Sequence, residues 1–149
     1  MMLRIRARLL IVTLWVGSLW TVGYLVAPVL FSSLADRALA GTIAGSLFRV
    51  EAWLSLGCGA ALLLLGSPET EARARKIWLG IIVGMMACTA IGYFGLQPMM
   101  AELRAGAGAG GLQGAARTQF GLLHGIAAVF YLLQSLLGAW LIFRVRRSS

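Results

Sequence analysis

The chain alternates four long apolar runs with three short polar links. Three of the runs, Leu9 to Phe31, Ile77 to Ala101 and Thr118 to Phe143, contain no Asp, Glu, Lys or Arg. Each exceeds the ~20 residues that an α-helix needs to cross the hydrocarbon of a bilayer. The fourth run closes at Gly66, Ser67 and Pro68, a helix stop. Counting back ~20 residues from Leu65 starts that span near Ser46, so Arg49 and Glu51 enter its first turns. The expected fold is all-α, an integral membrane four-helix bundle in a single domain over 1–149, with spans at about 9–31, 46–65, 77–98 and 120–143.

The links refine this outline. Pro28 removes a backbone donor and can kink or end the first helix, after which Ser32 or Ser33 can cap a new one with Asp36 in its first turn. Leu34, Ala38, Leu39, Ile43 and Leu47 recur at helical spacing. A helix from Ser33 to Leu65 would measure about 50 Å, too long for the hydrocarbon alone. A short outer-face helix, bending at Gly41 or Gly45 into the second span, is therefore expected. The link from Ser67 to Lys76 is short and carries both signs of charge, which makes the second and third spans antiparallel neighbours. The link over about 101–118 contains GAGAGG and reads as a flexible outer loop.

Small residues supply the packing signal. Gly80, Gly84, Cys88 and Gly92 repeat every four residues in the third span, and Gly121 and Gly125 do so in the fourth. Such ribbons let helix backbones approach closely in lipid, either within a bundle or between copies. Trp15, Trp78 and Trp140 are expected at the inner interface, where amphipathic rings collect. A faint echo also relates Trp15, Gly17, Gly23, Tyr24 and Pro28 to Trp78, Gly80, Gly92, Tyr93 and Pro98, although the spacings disagree.

Composition agrees with a membrane class: 60% of residues are hydrophobic and 12% charged, about half the charged share of an ordinary soluble domain. Arg4, Arg6, Arg8, Arg73, Arg75, Lys76, Arg144, Arg146 and Arg147 gather on one side of the spans, against Arg37, Arg49, Arg104 and Arg117 on the other. The positive-inside rule places both termini in the cytoplasm, with the first span a retained anchor rather than a cleaved signal peptide. The net charge of +8 then serves topology and lipid headgroups, and no basic face for nucleic acid is expected. Cys58 and Cys88 fall inside spans, so neither implies a disulfide or an oxidising compartment.

Measured from the cytoplasmic ends of these spans, Tyr24, Arg49, Glu51, Tyr93, Gln97 and His124 converge in the outer third. An ionisable residue inside a span is costly enough to be a functional candidate. Arg49 and Glu51 are two positions apart and point about 200° from each other, so both cannot face the bundle centre. Glu51 shares its helix face with Ser55, Cys58 and Gly59 and is the one expected to point inward, with Arg49 or His124 as candidate partner. Arg49 can snorkel to headgroups or lie over Trp53. The methionines, cysteines and single His124 do not assemble at metal-ligand spacings, and no catalytic motif is present. No metal, cofactor or enzymatic activity is expected.

The residues WVG and GYLVAPVLF from Trp15 to Phe31, LADRALAGTIAGSLF from Leu34 to Phe48, and FGLLHG from Phe120 to Gly125 resemble a family of small bacterial four-span membrane proteins of unknown function. Its eukaryotic relative is a transmembrane protein associated with resistance to platinum drugs. The resemblance implies four helices in an inner membrane, adds weight to Ala27, Pro28, Asp36, Gly41 and His124, and carries over no ligand or catalytic residue. The leading expectation is an interaction or accessory component of the bacterial inner membrane, in contact with lipid and self-associating or bound to another membrane protein. The alternative is a small proton-coupled transporter or metal-handling protein using Glu51 and His124.

Overall fold

The computed structural model describes residues 2–108 and 111–147. Its four long helices, Met2–Ser33, Arg37–Leu65, Ala72–Ala105 and Gly114–Val145, are each long and apolar enough to cross a membrane. The first span packs on the second and fourth, and the third packs on the same two. Four antiparallel crossings bring both termini and the link 66–71 to one end, the terminal end. The links 34–36 and 106–113 close the far end.

The spans are longer than the charge-free runs. The second runs without interruption from Arg37 to Leu65, so the separate outer-face helix is not formed, and nothing lies within 4 Å of a Cβ placed on Gly41 or Gly45. Asp36 is the cap in place of Ser32 or Ser33, its carboxylate accepting from the amides of Ala38 at 2.8 Å and Leu39 at 3.1 Å. This satisfies donors that the first turn leaves without partners. The expected outer loop shortens as well, because the third span continues to Ala105 and the fourth begins at Gly114. Within GAGAGG, Ala109 and Gly110 lie outside the described residues.

At the terminal end the second span stops at Gly66, whose φ of 70° suits glycine. The guanidinium of Arg8 donates to the carbonyls of Leu65 at 2.8 Å and Gly66 at 3.1 Å. Arg8 is thus a buried cap, placed where a helix leaves its last carbonyls free and its dipole favours a cation. Trp15 and Trp78 are fully buried, against the expectation of interfacial rings, while Trp140 is 47% exposed. They pack with Val12, Val16, Leu62, Ile82, Met85 and Leu141 in the core.

The echo in the sequence is a repeat in the fold, in a different register. The first and third spans each consist of a 19-residue α-helix, a six-residue π segment, Thr21–Val26 or Ile91–Leu96, and a final helix with proline at its second position. Pro28 and Pro98 therefore correspond. At the same offset Arg8 matches Trp78, Val12 matches Ile82, Trp15 matches Met85 and Leu19 matches Thr89, all buried. Trp15 is not the counterpart of Trp78, and Tyr24 falls one residue out of register with Tyr93. In the second and fourth spans Ala44, Ser55, Gly59 and Leu62 correspond at one offset to Leu123, Gln134, Gly138 and Leu141, again all buried. Two parallel hairpins thus form the bundle, related as repeats about an axis along the spans.

Candidate functional site

Glu51 stands 14 residues from both Arg37 and Leu65, about 21 Å from either end at 1.5 Å per residue. The helix begins nine residues before Ser46, at Arg37, so Glu51 stands at its mid-length rather than in its first turns. Glu51 is 4% exposed and shares its buried face with Ser55, Cys58 and Gly59. Its Oε1 accepts from Ser18 on the first span and from Ser55 one turn along its own helix, both at 3.3 Å.

Ser55 gathers the remaining spans. The indole N–H of Trp15 donates to its hydroxyl at 2.9 Å, and the amide N–H of Gln134 donates at 3.4 Å. The same Gln134 nitrogen donates to Thr89 on the third span at 2.9 Å. A polar layer therefore links all four spans at mid-length. Ser55 and Gln134, which correspond in the two hairpins, meet each other at the junction between them.

Hydroxyl hydrogens can be assigned by elimination, since a serine has one donor and two acceptor positions. Trp15 and Gln134 occupy both lone pairs of Ser55, so its single hydrogen points to Glu51. Ser18 has one hydrogen and two acceptors within reach, the Trp15 carbonyl at 3.0 Å and Glu51 at 3.3 Å. Glu51 thus has one fixed donor and one that can turn. As a carboxylate it accepts from both serines. As a neutral acid its own hydrogen can go to Ser18, whose hydrogen then turns to the Trp15 carbonyl.

A second cluster adjoins this layer. The hydroxyl of Tyr131 donates to the carbonyl of Leu19, and its ring lies against Gly23. In an α-helix that carbonyl is the acceptor of the Gly23 amide. The phenol is inserted into the wall of the first span where the π segment begins, a recognised cause of local helix distortion. Only glycine permits this, because a Cβ at residue 23 would collide with the Tyr131 ring. Tyr24 donates to Ser135 at 2.9 Å, and Ser135 donates to the Tyr131 carbonyl at 2.9 Å.

The other sequence candidates lie apart from Glu51. His124 is exposed and stacks on Phe120, with ring centroids 6.2 Å apart, and the Arg104 guanidinium lies over the same phenyl ring, 5.3 Å from its centroid. Arg49 is exposed on the opposite side of its helix from Glu51. Tyr93 packs edge-on against Trp53 and Phe94. A cavity of about 610 Å³ opens at the far end between Met99, Glu102, Leu112 and Gln119, and none of its lining residues belongs to the polar layer. No group of three or more His, Cys, Asp or Glu able to hold a metal occurs among the described residues.

The glycine ribbon also reads differently in three dimensions. A Cβ added at Gly84 would lie 3.4 Å from Leu137, whereas at Gly80, Gly92, Gly121 and Gly125 it would have nothing within 4 Å. Cys88 is half-buried. The close approaches inside the bundle are instead made at Gly23, Gly59 and Gly138. Sequence reasoning missed Trp15, Ser18, Thr89, Tyr131, Gln134 and Ser135 as site residues. Their shared signal was a polar residue on the inward stripe of each charge-free run.

Four apolar helices joined at mid-length by hydrogen-bonded polar side chains define a multi-pass membrane protein. Residues 10–109 match the model of a domain of unknown function, DUF4149, and the chain belongs to that family. Searches of curated proteins and of solved structures give no match.

Proposed function

We propose that this chain is a proton-binding component of a bacterial inner membrane, with Glu51 as the group that takes up and releases the proton. The observation that supports this reading best is the hydrogen-bond set around Glu51, which satisfies the group in both protonation states through rotation of Ser18 alone. A metal cation would need free lone pairs from the surrounding oxygens, and those of Ser55 are taken by Trp15 and Gln134. Placement at mid-length on the junction of two repeats is also where secondary transporters keep their coupling-ion sites. The other ionisable groups that face Glu51 are Cys58 on its own helix and Tyr131 on the fourth span. The first and third spans contribute the hydroxyls of Ser18 and Thr89.

The positive-inside rule sets the terminal end in the cytoplasm and the far end outside. Glu51 then lies near the middle of the bilayer, and the chain acts by proton coupling rather than by making or breaking bonds. In proteoliposomes carrying a pH gradient, the parent protein should dissipate the gradient faster than empty vesicles. Glu51→Gln should abolish the difference and His124→Ala should preserve it. Equal rates for parent and Glu51→Gln would sink the proposal.

A second reading, self-association through the third and fourth spans, is supported by the open space over Gly80, Gly92, Gly121 and Gly125. These positions offer close backbone approach that the bundle itself leaves unused. Gly80→Leu should lower the dimer fraction measured by cross-linking in lipid, and an unchanged fraction would remove that support.

A further inference from the structure

We propose that the far-end arm of the first span, residues 27–33, is a gate over Glu51, hinged at the π segment Thr21–Val26 and latched by Tyr131. The proposal rests on Glu51 being the proton site and concerns the route by which that site meets the far side of the membrane. Ser18, the rotating ligand of Glu51, is followed directly by Leu19, whose carbonyl Tyr131 holds. The latch therefore sits one residue from the ligand that must turn. Beyond it, the hydrogen bond from Tyr24 to Ser135 fastens the π segment itself to the fourth span.

The π segment suits a hinge because of how its backbone is bonded. Pro28 has no N–H, and its ring disfavours the usual carbonyl contact one turn back, at Tyr24. The Ala27 amide reaches to Val22, a five-residue step. Wide turns of this kind recur at functional sites. Here the Leu19 carbonyl, which an α-helix offers to the Gly23 amide, receives a phenol that a side-chain rotation can withdraw. A closed and an open arm then differ by the phenol bond of Tyr131 and the bond between Tyr24 and Ser135, few enough to exchange without unfolding the span.

The third span carries the same π segment and proline but is fastened differently. Tyr93 and Phe94 rest against Trp53 through ring edges, and Gly92 and Gly95 have nothing within 4 Å of an added Cβ. The position corresponding to Tyr131 in the second span is Ala52, by the offset that pairs Ser55 with Gln134. Alanine has no group to insert. The two arms are thus built alike and fastened unequally, and the latched arm is the one beside Ser18.

The test uses nitroxide labels at Val29 on the arm and Leu122 on the fourth span, both more than half exposed. Cys58 and Cys88 are replaced by alanine, and distances are read by electron–electron double resonance in lipid nanodiscs. The parent should show one dominant distance, and Tyr131→Phe, which keeps the ring and loses the hydroxyl, should add a longer population. Ser135→Ala, which removes the Tyr24 bond and the serine's own bond to the Tyr131 carbonyl but leaves the phenol of Tyr131 in place, should shift the balance the same way to a smaller extent. Superimposable distributions in all three proteins would overturn the gate. Proton binding is followed separately through the infrared carboxyl band of Glu51, which should persist in Tyr131→Phe. A band lost in Glu51→Gln together with unchanged distances would refute the latch and leave the proton site standing, while a band unaffected by Glu51→Gln would refute the site itself.

Discussion

Replacing Ser55 with alanine removes more hydrogen bonds than any other single truncation in the polar layer. Its hydroxyl receives Trp15 at 2.9 Å and Gln134 at 3.4 Å, and donates to Glu51 at 3.3 Å. Hydrogen bonds between side chains of transmembrane helices average about 0.6 kcal/mol, so three together are worth about 2 kcal/mol. Two corrections act in opposite directions. Gln134 keeps Thr89 as an acceptor at 2.9 Å, which lowers its share. Trp15, at 0% exposure, keeps an N–H with nothing to receive it, and a buried donor without a partner costs about 1–3 kcal/mol. The expected destabilisation stays near 2 kcal/mol. Unfolding in mixed detergent micelles, followed by indole fluorescence, measures it, with Ser46→Ala as the control. Ser46 is exposed and bonds only the Thr42 carbonyl on its own helix, so its loss should lie within about 0.5 kcal/mol of zero. Equal stabilities for Ser55→Ala and Ser46→Ala would refute the reasoning that the layer joins the spans.

Other expectations follow from the packing. Gly138→Ala places a methyl group 3.1 and 3.2 Å from the two branches of Val16, and should cost about 1–3 kcal/mol because a β-branched neighbour has little freedom to yield. Gly80→Ala meets open space and should be neutral or stabilising by up to about 1 kcal/mol from helix propensity, as the same unfolding assay would show. Arg8→Ala leaves the carbonyls of Leu65 and Gly66 without their donor. Hydrogen bonds to a charged group are worth about 1.5–3 kcal/mol, so hydrogen exchange at the end of the second span should rise, whereas unchanged exchange would mean that water caps those carbonyls equally well.

The apolar runs made the four spans legible because a charge in hydrocarbon is costly, and a stretch such as Leu9 to Phe31 has no alternative home. Helix length was less legible. Arg49 and Glu51 read as an entry turn when the second span is counted back from Leu65, yet the helix continues past both to Arg37 because Arg49 lies on the outside and Glu51 finds two serines inside. The inward face of Glu51 followed from helical periodicity, since Ser55, Cys58 and Gly59 share it. Its partners did not, because Ser18 and Gln134 lie on other helices and become neighbours only through packing. His124 was the only titratable imidazole in the sequence and attracted a pairing with Glu51, but Phe120 and Arg104 hold the far-end surface where it stands. Trp15 and Trp78 show the same limit: an indole near a span end reads as interfacial, and only the tertiary fold reveals that both are enclosed. Pro28 announced a disturbance in the first span, while its form, a π segment with Tyr131 inserted at Gly23, depends on a residue in the fourth span.

The repeat was obscured for a related reason. Identical residues suggested matching Trp15 with Trp78 and Tyr24 with Tyr93, whereas the fold preserves prolines, π segments and buried positions. Ser55 and Gln134 occupy equivalent places with different side chains, and Glu51 corresponds at the same offset to Phe130, so the junction carries one carboxylate rather than two.

The most direct measurement of the proton site is infrared difference spectroscopy of the reconstituted protein across a pH titration, comparing the parent with Glu51→Gln. The parent should show a carbonyl band of a protonated carboxyl that disappears as the solution becomes alkaline, with no such band in Glu51→Gln, and with Ser18→Ala altering its frequency because the rotating partner is gone. A parent spectrum without a titrating buried carboxyl, or a band that survives unchanged in Glu51→Gln, would contradict the assignment of Glu51 as the group that carries the proton.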